Sequence, residues 1–427
     1  MTRWLHPLCL AAWALGTLVA LSPLTAIAGP VLDLGEGRDM ELFFAVQFWD
    51  VYTFNAVDDD GNKVDDRHNL FIRRGRVGTT GHFQPRIRYL LTFAFDGIGL
   101  DAFSGNQGTP QAPDNQNFFL WDAFVTFALN RTWADLTVGY LRPQVGRESI
   151  TSSLAVNSLV KTLNNVYPRQ HIVGRGSGRE MGFNLGGLYS RQNWSLNYNV
   201  GLYSTNHERI AGVAGGGSKN AALWTGRIAV SFGEPELEVY GIGYQVNFFD
   251  DRRGITLAIN GTYQGETNQT SANDSDGEEV YIGGFRNNSL LGCDLLANLG
   301  QLSVSAEYDW LHREFDEAFA GSLARPTASK YTDTVWFMRA GYNFPLHNGQ
   351  VLEPVLMYTR FDGDPYSAVF PDGQHEVFSA GMNWYLDRNK LKVNLHFHSH
   401  AGRPVSLFSD ELGKEGDYAG AGLQMVF

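Results

Sequence analysis

The end of the chain is the feature that most limits its fold, because the residues from 418 to 427 alternate strictly between two faces. One face carries Ala419, Ala421, Leu423, Met425 and Phe427. A sequence that stops inside a strand leaves backbone N–H and C=O groups in need of a neighbour, and lipid offers no water to replace one. In a transmembrane β-barrel the first strand is that neighbour, because the barrel closes on itself. The alternation therefore predicts either the closing strand of such a barrel or an ordinary amphipathic strand that happens to be last.

The beginning of the sequence favours the barrel. Arg3 provides a short positive region, 8–21 is almost continuously apolar, and Ala26-Ile27-Ala28 is a small-x-small site. This order is typical of a secretory signal peptide. We expect 1–28 to be removed and 29–427 to form the mature barrel. The alternative is an uncleaved anchor, for which the apolar stretch is short.

Composition excludes several other classes of protein. After the signal peptide, no run of about eighteen residues is apolar enough for a spanning helix, although 43% of all residues are hydrophobic and 13% are aromatic. Cys293 is the single cysteine left after Cys9 is removed, so an intramolecular disulfide is excluded. The net charge of -12 becomes about -13 without Arg3, which argues against nucleic acid as a partner.

Period-two alternation predicts strands that are long enough to cross a membrane at a tilt. It is clearest at 83–96, where odd positions are apolar, and it recurs at 118–128 and 194–203. In the second of these, Trp121 falls on the apolar face, which we expect to contact lipid. Soluble sandwiches alternate in the same way, but their strands are usually about five or six residues long.

Connections between the predicted strands are alternately long and short, as in outer-membrane barrels with long external loops and short periplasmic turns. We predict short turns at Gly81-His82, 190–193, 299–300, 347–349 and 387–389. The count is sixteen strands with both termini periplasmic, provided that 233–253 is an extended periplasmic connection although 237–248 looks like a strand. The alternative is eighteen strands, with 278–285 as a further one.

Five segments, in order along the mature chain, resemble a known family. They are LFIRRGRVGTTGHF at 70–83, LWDAFVTF at 120–127, LTVGYLRPQVGRE at 136–148, WTGRIAV at 224–230 and GMNWYLDRNKLKVNL at 381–395. Together they resemble the phosphate-selective porin O and P family of Gram-negative outer membranes. The resemblance implies a sixteen-stranded, typically trimeric barrel whose pore is narrowed by inward-folded loops and lined by arginines that favour anions. Two features depart from the family: the chain is poor in lysine, and its mature N-terminus is too short for a periplasmic coiled coil.

Arginine placement is the main functional signal in the residues themselves. A charge that faces lipid near the midplane costs about 2–4 kcal/mol for Arg or Lys, so the lumen is the expected location. Alternation places Arg86, Arg88 and Arg227 there. Strict alternation cannot place all three of Arg73, Arg74 and Arg76 on one face, which indicates a bulge or one arginine at the interface. We predict these six residues to be the pore-lining, anion-selecting set.

The segment 142–179 is the predicted constriction, because it is the longest connection and contains an apolar stretch at 154–163 that could pack inside the barrel. Its predicted functional side chains are Arg142, Arg147, Arg169 and Arg175. The alternative is a segment that lies on the outer surface.

Acidic residues lead to a competing interpretation. The runs Asp58-Asp59-Asp60, Asp65-Asp66 and 274–279 fall in predicted external loops. Asp96, Asp122 or Glu148 could instead pair with the arginines, which would then brace the wall and leave weaker selectivity.

Three histidines, His396, His398 and His400, share the predicted lumenal face of one strand. A strand spaces alternate residues about 6.5–7 Å apart, which is too far for three imidazoles to reach one tetrahedral metal without distortion. We interpret them as polar lining and predict no metal site and no cofactor.

The sequence thus predicts a passive outer-membrane channel for small hydrophilic solutes, with a preference for anions such as phosphate, and a homotrimer in the lipid bilayer. A general or weakly selective porin is the alternative. An outer-membrane hydrolase would need a Ser–His–acid or Asp–His constellation at the rim, and no local sequence nominates one. We therefore do not expect an enzyme.

Overall fold

The computed structural model describes twelve stretches of the chain between Gly29 and Phe427. These are 29–57, 62–101, 118–130, 132–173, 177–205, 221–266, 271–273, 279–281, 285–314, 330–364, 373–402 and 416–427. The predicted signal peptide, Arg175 and the acidic runs 58–60 and 274–278 lie outside these residues.

Sixteen antiparallel strands form one closed ring, as predicted. In chain order they are β2 (Arg38–Phe54), β3 (Arg67–Gln84), β4 (Ile87–Ala94), β5 (Phe119–Asn130), β6 (Ala134–Leu141), β7 (Glu180–Arg191), β8 (Trp194–Ser204), β9 (Leu223–Gly233), β10 (Arg253–Gln264), β13 (Asn287–Leu299), β14 (Leu302–Glu314), β15 (Lys330–Tyr342), β17 (Val351–Asp362), β18 (Gln374–Asp387), β19 (Leu391–Gly402) and β20 (Asp417–Val426). Each strand pairs with its neighbours in sequence, so the ring is an up-and-down barrel in which β2 begins and β20 ends at the short-turn end.

The ring closes between its first and last strands. β2 pairs with β20 from Ala45 opposite Val426 to Phe54 opposite Asp417. Two further hydrogen bonds join Phe427 to Phe44, with N···O distances of 2.8 and 3.1 Å. The alternation at the C-terminus is therefore the closing seam of a barrel, and every backbone group along it has a partner away from lipid.

A few short elements lie outside the ring. β1 (Val31–Gly35) and β16 (Phe344–Pro345) pair with the protruding ends of β2 and β17. β11 (Ser271–Asn273) and β12 (Glu279–Tyr281) form a separate two-stranded ladder, so the predicted alternative of eighteen barrel strands is wrong. In the described part of the chain, the helices are Arg147–Ile150, Leu163–Val173 and the 3₁₀ turn His347–Gly349. None of the described helices is long and apolar enough to span a membrane.

One predicted turn is misplaced. Gly81-His82 is not a turn, because β3 continues through these residues to Gln84 and β4 begins only at Ile87. The turn is at 85–86, where Pro85 lacks the N–H that a ladder needs. The predicted strand at 83–96 is therefore too long at its start.

The segment 142–173 folds into the lumen, and we call it the constriction segment. Its Leu163, Tyr167, Ile172 and Val173 pack with inward residues of β13 to β18 in one apolar cluster. The ring of Tyr167 stacks on Phe361 with centroids 3.8 Å apart. Burial of the apolar side chains of the segment against those of the wall fixes the segment to one half of the barrel.

Glycines on the last strand make room for the opposite end of this segment. Leu159 and Val160 pack in a second cluster with Trp49, Phe71 and other wall residues. A Cβ atom at Gly420 or Gly422 would lie 2.8 or 2.9 Å from a methyl carbon of Leu159. The small inward residues of β20 thus allow the segment to approach the wall closely.

The connection 234–252, between β9 and β10, contains no barrel strand, as predicted. It does not hang below the barrel but enters the lumen from the short-turn end. There Tyr244 forms an isolated bridge with Thr151 of the constriction segment. Two inserted segments, one from each end of the barrel, therefore meet inside it.

Candidate functional site: a cationic constriction in the lumen

A β-bulge in β3 allows Arg73, Arg74 and Arg76 all to face the lumen. The pairing of β3 with β2 shifts by one residue between Gln47 and Phe48, so that Gln47 faces Arg74 and Phe48 faces Ile72. Arg73 is the extra residue. It is buried like Arg74 and Arg76, and the guanidinium carbons of Arg73 and Arg74 lie 5.2 and 5.8 Å from the ring centre of Trp49. Of the two arrangements that the sequence left open, the structure has the bulge.

A second bulge corrects the placement of Trp121. The register of β4 and β5 shifts between Thr92 and Phe93, and Trp121 is skipped. Its ring, predicted to face lipid, instead lies between Arg76 and Arg179, whose guanidinium carbons are 3.9 and 3.8 Å from its centre. Strict alternation cannot anticipate this, because one inserted residue reverses the face of its neighbours.

The constriction segment brings three more cations toward this wall. Arg142 donates a hydrogen bond to the Ser149 carbonyl. Lys161 Nζ lies 2.7 Å from the Glu148 carbonyl and 3.1 Å from that of Ser149. Arg169 is 92% buried, with 8% of its surface exposed, and its Nε and Nη2 find no hydrogen-bond partner among the described residues.

Cations outnumber acids at this place. Arg76 forms an ion pair with Asp96, with Nη2 and Oδ2 2.9 Å apart, and Arg179 Nε lies 3.1 Å from Asp122 Oδ1. The other basic residues here are Arg142 and the buried Arg73, Arg74, Lys161 and Arg169. Glu148 is the third nearby acid, but its carboxylate binds Arg339 of β15 at 2.9 Å. The cluster therefore carries an excess of positive charge.

The pKa values of two cations in the constriction segment are lowered first by burial and then by neighbouring positive charges. Burial, together with the charges of Arg179 and Arg73, lowers the pKa of Arg169 to about 10. Burial and then the charge of Arg179 lower the pKa of Arg142 well below its usual value. A pKa of about 10 leaves Arg169 charged at neutral pH, so an anion that enters would offset an unfavourable repulsion.

Three predicted pore arginines lie elsewhere. Arg86 is exposed in the turn between β3 and β4, which corrects its placement on a lumenal strand face. Arg88 faces the lumen but is bound to Asp135 and to the Tyr240 carbonyl, both at 3.3 Å. Arg227 also faces the lumen, and its Nε and Nη2 donate to Asp294. Arg88 and Arg227 are thus in ion pairs with Asp135 and Asp294, and not with the predicted Asp96, Asp122 or Glu148.

Arg147 attaches the constriction segment to the barrel and does not line the pore, which corrects its predicted role. Its side chain is completely buried and bonds Asp294 at 2.9 Å and Glu236 at 2.5 and 3.0 Å. Asp294 also accepts from Arg227 Nη2 at 2.8 Å. This ion-pair quartet of Arg147, Arg227, Glu236 and Asp294 ties the constriction segment to β9, β13 and the connection 234–252. Arg175 lies outside the described residues.

The histidines of β19 face the lumen beside the constriction segment. His396 Nε2 is 2.9 Å from Asn383 Oδ1, and His400 Nδ1 is 3.2 Å from Nε2 of His375 on β18. His398 stacks on Tyr418 with centroids 4.5 Å apart. Among the described residues no group of three or more His, Cys, Asp or Glu is arranged to hold a metal ion.

Sequence reasoning missed Lys161, Arg179 and Lys392. The first two lie within or at the end of the predicted constriction, so their charge was a usable signal. Lys392 Nζ bonds the carbonyls of Val156 and Leu154 at 2.8 and 3.2 Å and so anchors the segment to β19. No local sequence pattern predicts that contact, because the residues that form it are more than two hundred positions apart.

Solved structures of other barrels resemble this fold. The outer membrane channel DcaP of Acinetobacter baumannii is 13% identical, with a TM-score of 0.53, over 94% of this chain and 100% of that one. An anion-selective porin from Comamonas acidovorans is also 13% identical, with a TM-score of 0.51, over 91% and 100%. OmpF of Salmonella typhi, solved with daunomycin, is 12% identical, with a TM-score of 0.52, over 93% and 100%. At such identities the similarity shows the fold alone.

A comparison with curated protein sequences gave no match. In contrast, the sequence profile of the family described as phosphate-selective porin O and P matches residues 47–427, from the middle of β2 to the last residue. That family and the porin fold together indicate an outer-membrane channel of Gram-negative bacteria rather than an enzyme. The chain therefore belongs to the phosphate-selective porin O and P family.

Proposed function

We propose that this porin is a passive, anion-preferring channel, exported with removal of residues 1–28 and selecting solutes at the cationic constriction. The observation that carries the proposal is the excess of guanidinium groups where the constriction segment approaches β3 and β5. Arg142, Arg169 and Arg74 supply charge there that the nearby acids do not balance. In a narrow pore, rings of one charge favour the opposite ion.

Stacked arginines suit this task. Trp49 lies near Arg73 and Arg74, and Trp121 lies between Arg76 and Arg179, so cation–π attraction holds these four side chains beside the constriction. A fixed planar fork matches a carboxylate or phosphate in a bidentate way, and the geometry is less readily matched by a lysine ammonium. Phosphate is therefore our proposed preferred anion, in keeping with the description of the family.

A weakly selective porin is the second candidate, and a specific observation favours it. Arg76, Arg179, Arg88 and Arg227 all have acidic partners. If these pairs screen the lumen, the remaining charges bias chloride over potassium without distinguishing phosphate.

Planar-bilayer recording separates these candidates. Under a potassium chloride gradient we expect a reversal potential on the anion side, and phosphate at low concentration should reduce the chloride current as it occupies the arginines. An anion-side potential without competition by phosphate would support the weakly selective porin. A reversal potential at zero or on the cation side would contradict both.

We also propose that the protein is a homotrimer, packed through the outer face of the seam around β2. Asp50 lies on that face, opposite Leu70 of β3 and Ala421 of β20, and its Oδ1 is 2.6 Å from His68 Nε2. Both side chains are about half exposed in the isolated chain. A charged side chain toward lipid is destabilising, so contact with a second copy is the more stable arrangement.

Photo-crosslinking tests this interface. Phe48 is on the same outer face as Asp50, and Phe232 of β9 is on the outer face across the ring; both are well exposed. We expect p-benzoyl-phenylalanine at position 48 to give covalent dimers and trimers on irradiation in outer-membrane vesicles. The same residue at position 232 should give none, and the reverse pattern would place the interface elsewhere.

A further inference from the structure

Two carboxylates of β14, Glu307 and Asp309, lie side by side where the constriction segment packs on the wall. They are two positions apart on one strand, so both point to the inner face of the barrel. Glu307 is 3% and Asp309 1% exposed, and the two side chains are within hydrogen-bonding reach of each other. Buried charges are normally paired or bound to a metal ion, so this pair needs a partner.

The constriction segment uses only one oxygen of each carboxylate. Glu307 Oε2 accepts from the Glu148 N–H at 2.7 Å, and Asp309 Oδ2 accepts from the Asn164 amide at 2.8 Å. Oε1 of Glu307 and Oδ1 of Asp309 have no hydrogen-bond donor among the described residues. Because both donors are neutral groups, the segment leaves the two negative charges unbalanced.

The basic side chains nearby are occupied by other acids. The ion-pair quartet balances its two arginines with its two acids, and Arg339 Nη2 lies 2.9 Å from Glu148 Oε2. In the described part of the chain, neither Glu307 nor Asp309 forms an ion pair with a basic side chain. The pair therefore forms a local excess of negative charge on the wall opposite the cationic constriction.

Asn260 of β10 adds a neutral polar group at the same place. Asn260 pairs with Gly292 of β13 in the ladder, and Gly292 pairs with Asp309. A Cβ atom at Gly292 would lie 2.2 Å from Asp309 Oδ1 and 2.9 Å from both Oδ1 and Nδ2 of Asn260, so carboxylate and amide border one space above the glycine. Asn260 is 3% exposed, and neither amide atom has a hydrogen-bond partner among the residues described. Buried amides nearly always have a partner, so this one indicates a bound species.

We propose that Glu307, Asp309 and Asn260 bind a calcium ion on the inner wall of the barrel. Carboxylate and amide oxygens are the ligands that Ca²⁺ prefers, and water can complete its coordination. Its double positive charge balances the two acids. Two carboxylates are sufficient here because the third oxygen comes from an amide.

The ion would act on the attachment of the constriction segment. It removes the repulsion between the two acids, whose other oxygens hold the Glu148 N–H and the Asn164 amide. Calcium therefore stabilises the segment from the side of the wall, away from the arginines. This role goes beyond the proposed channel function and does not depend on which ion the channel prefers.

Calorimetric titration with Ca²⁺ tests the site, on the purified mature chain at neutral pH after chelator treatment. We expect one Ca²⁺ per chain, and Glu307→Gln with Asp309→Asn should bind at least about tenfold more weakly, since ligand charge sets calcium affinity. Asp65→Asn with Asp66→Asn is the matched control, because it removes two exposed acids far along the sequence. It should bind like wild type. A wild type that binds no Ca²⁺, as when the two acids share a proton, would overturn the proposal, and so would equal binding by the two double variants.

Asn260→Ala is a second variant, in case the loss of both acids prevents folding. Its amide makes no hydrogen bond to the described chain, so we expect the barrel to fold without it. The affinity for Ca²⁺ should fall by roughly threefold to tenfold, because one neutral ligand is lost while the charge is kept. Ca²⁺ should also raise the urea midpoint of unfolding for wild type, since a ligand of the folded state stabilises it, and raise that of Asn260→Ala less. Equal affinities and equal midpoint shifts would show that Asn260 does not bind the ion, which would refute the site.

Discussion

Replacing Arg142 and Arg169 with glutamine should lower the anion-to-cation permeability ratio of the channel by about tenfold. Each removed charge acts on a passing ion with about 0.6 kcal/mol at about 7 Å in water, with opposite sign for an anion and a cation. For two charges the unscreened effect is larger than tenfold, and salt in the pore reduces it. Both residues lie on the constriction segment, and neither forms an ion pair with an acid among the described residues. The reversal potential under a salt gradient measures the ratio.

Arg191→Gln is the matched control for this variant. Arg191 is an exposed arginine at the short-turn end, bonded to Tyr189 Oη, so its loss changes net charge far from the constriction. It should leave the reversal potential where it is. If the double variant and Arg191→Gln shift the potential equally, general surface charge sets the selectivity and the constriction does not.

Periodicity predicted the barrel well, because lipid and water impose a period of two on every strand. β8 and β9 follow the pattern along their whole length, so Arg227 was correctly placed on the inner face. Parity then excluded 237–248 as a strand, since a seventeenth would put the termini at opposite ends. These inferences need only local pattern and closure of the ring.

The alternation of apolar and polar residues could not predict the bulges or the long-range partners of the arginines. One extra residue at Arg73 and one at Trp121 change which side chains face the lumen, and neither leaves a mark in hydrophobicity. The partner of Arg147 is Asp294, 147 positions away. The sequence alone does not distinguish a buried arginine in an ion pair from an arginine that lines the pore. The two can be told apart only when the positions of the acids in the fold are known.

The location of those acids explains how one inserted segment can be both fixed and functional. Glu307, Asp309 and Glu353 face the segment from β14 and β17 and accept from the Glu148 N–H, the Asn164 amide and the Asn157 amide at 2.7 to 2.8 Å. The basic side of the lumen, at β3 and β5, lies across from this attachment. Acids thus hold the segment against one wall, through one backbone N–H and two asparagine side chains, which leaves its arginines to face the other.

Asp294→Ala should destabilise the barrel by about 3–5 kcal/mol, the usual cost of leaving a buried charge without its partner. Asp294 accepts from both Arg147 and Arg227, and all three side chains are completely buried. Arg147 keeps Glu236, but Arg227 loses the acid that accepts from its Nε and Nη2. Urea-induced unfolding in lipid vesicles, followed by tryptophan fluorescence, measures the difference.

The companion variant, Arg227→Met with Asp294→Leu, distinguishes a lost ion pair from a lost volume. It removes one positive and one negative charge, so Arg147 and Glu236 remain as a balanced pair. Replacing a buried pair by apolar side chains is often nearly neutral, so we expect this double variant to unfold much closer to wild type than Asp294→Ala. Equal loss in both variants would mean that packing, and not charge, holds the segment there. A loss below about 1 kcal/mol in Asp294→Ala would mean that water reaches the quartet, since solvent-exposed pairs contribute that little.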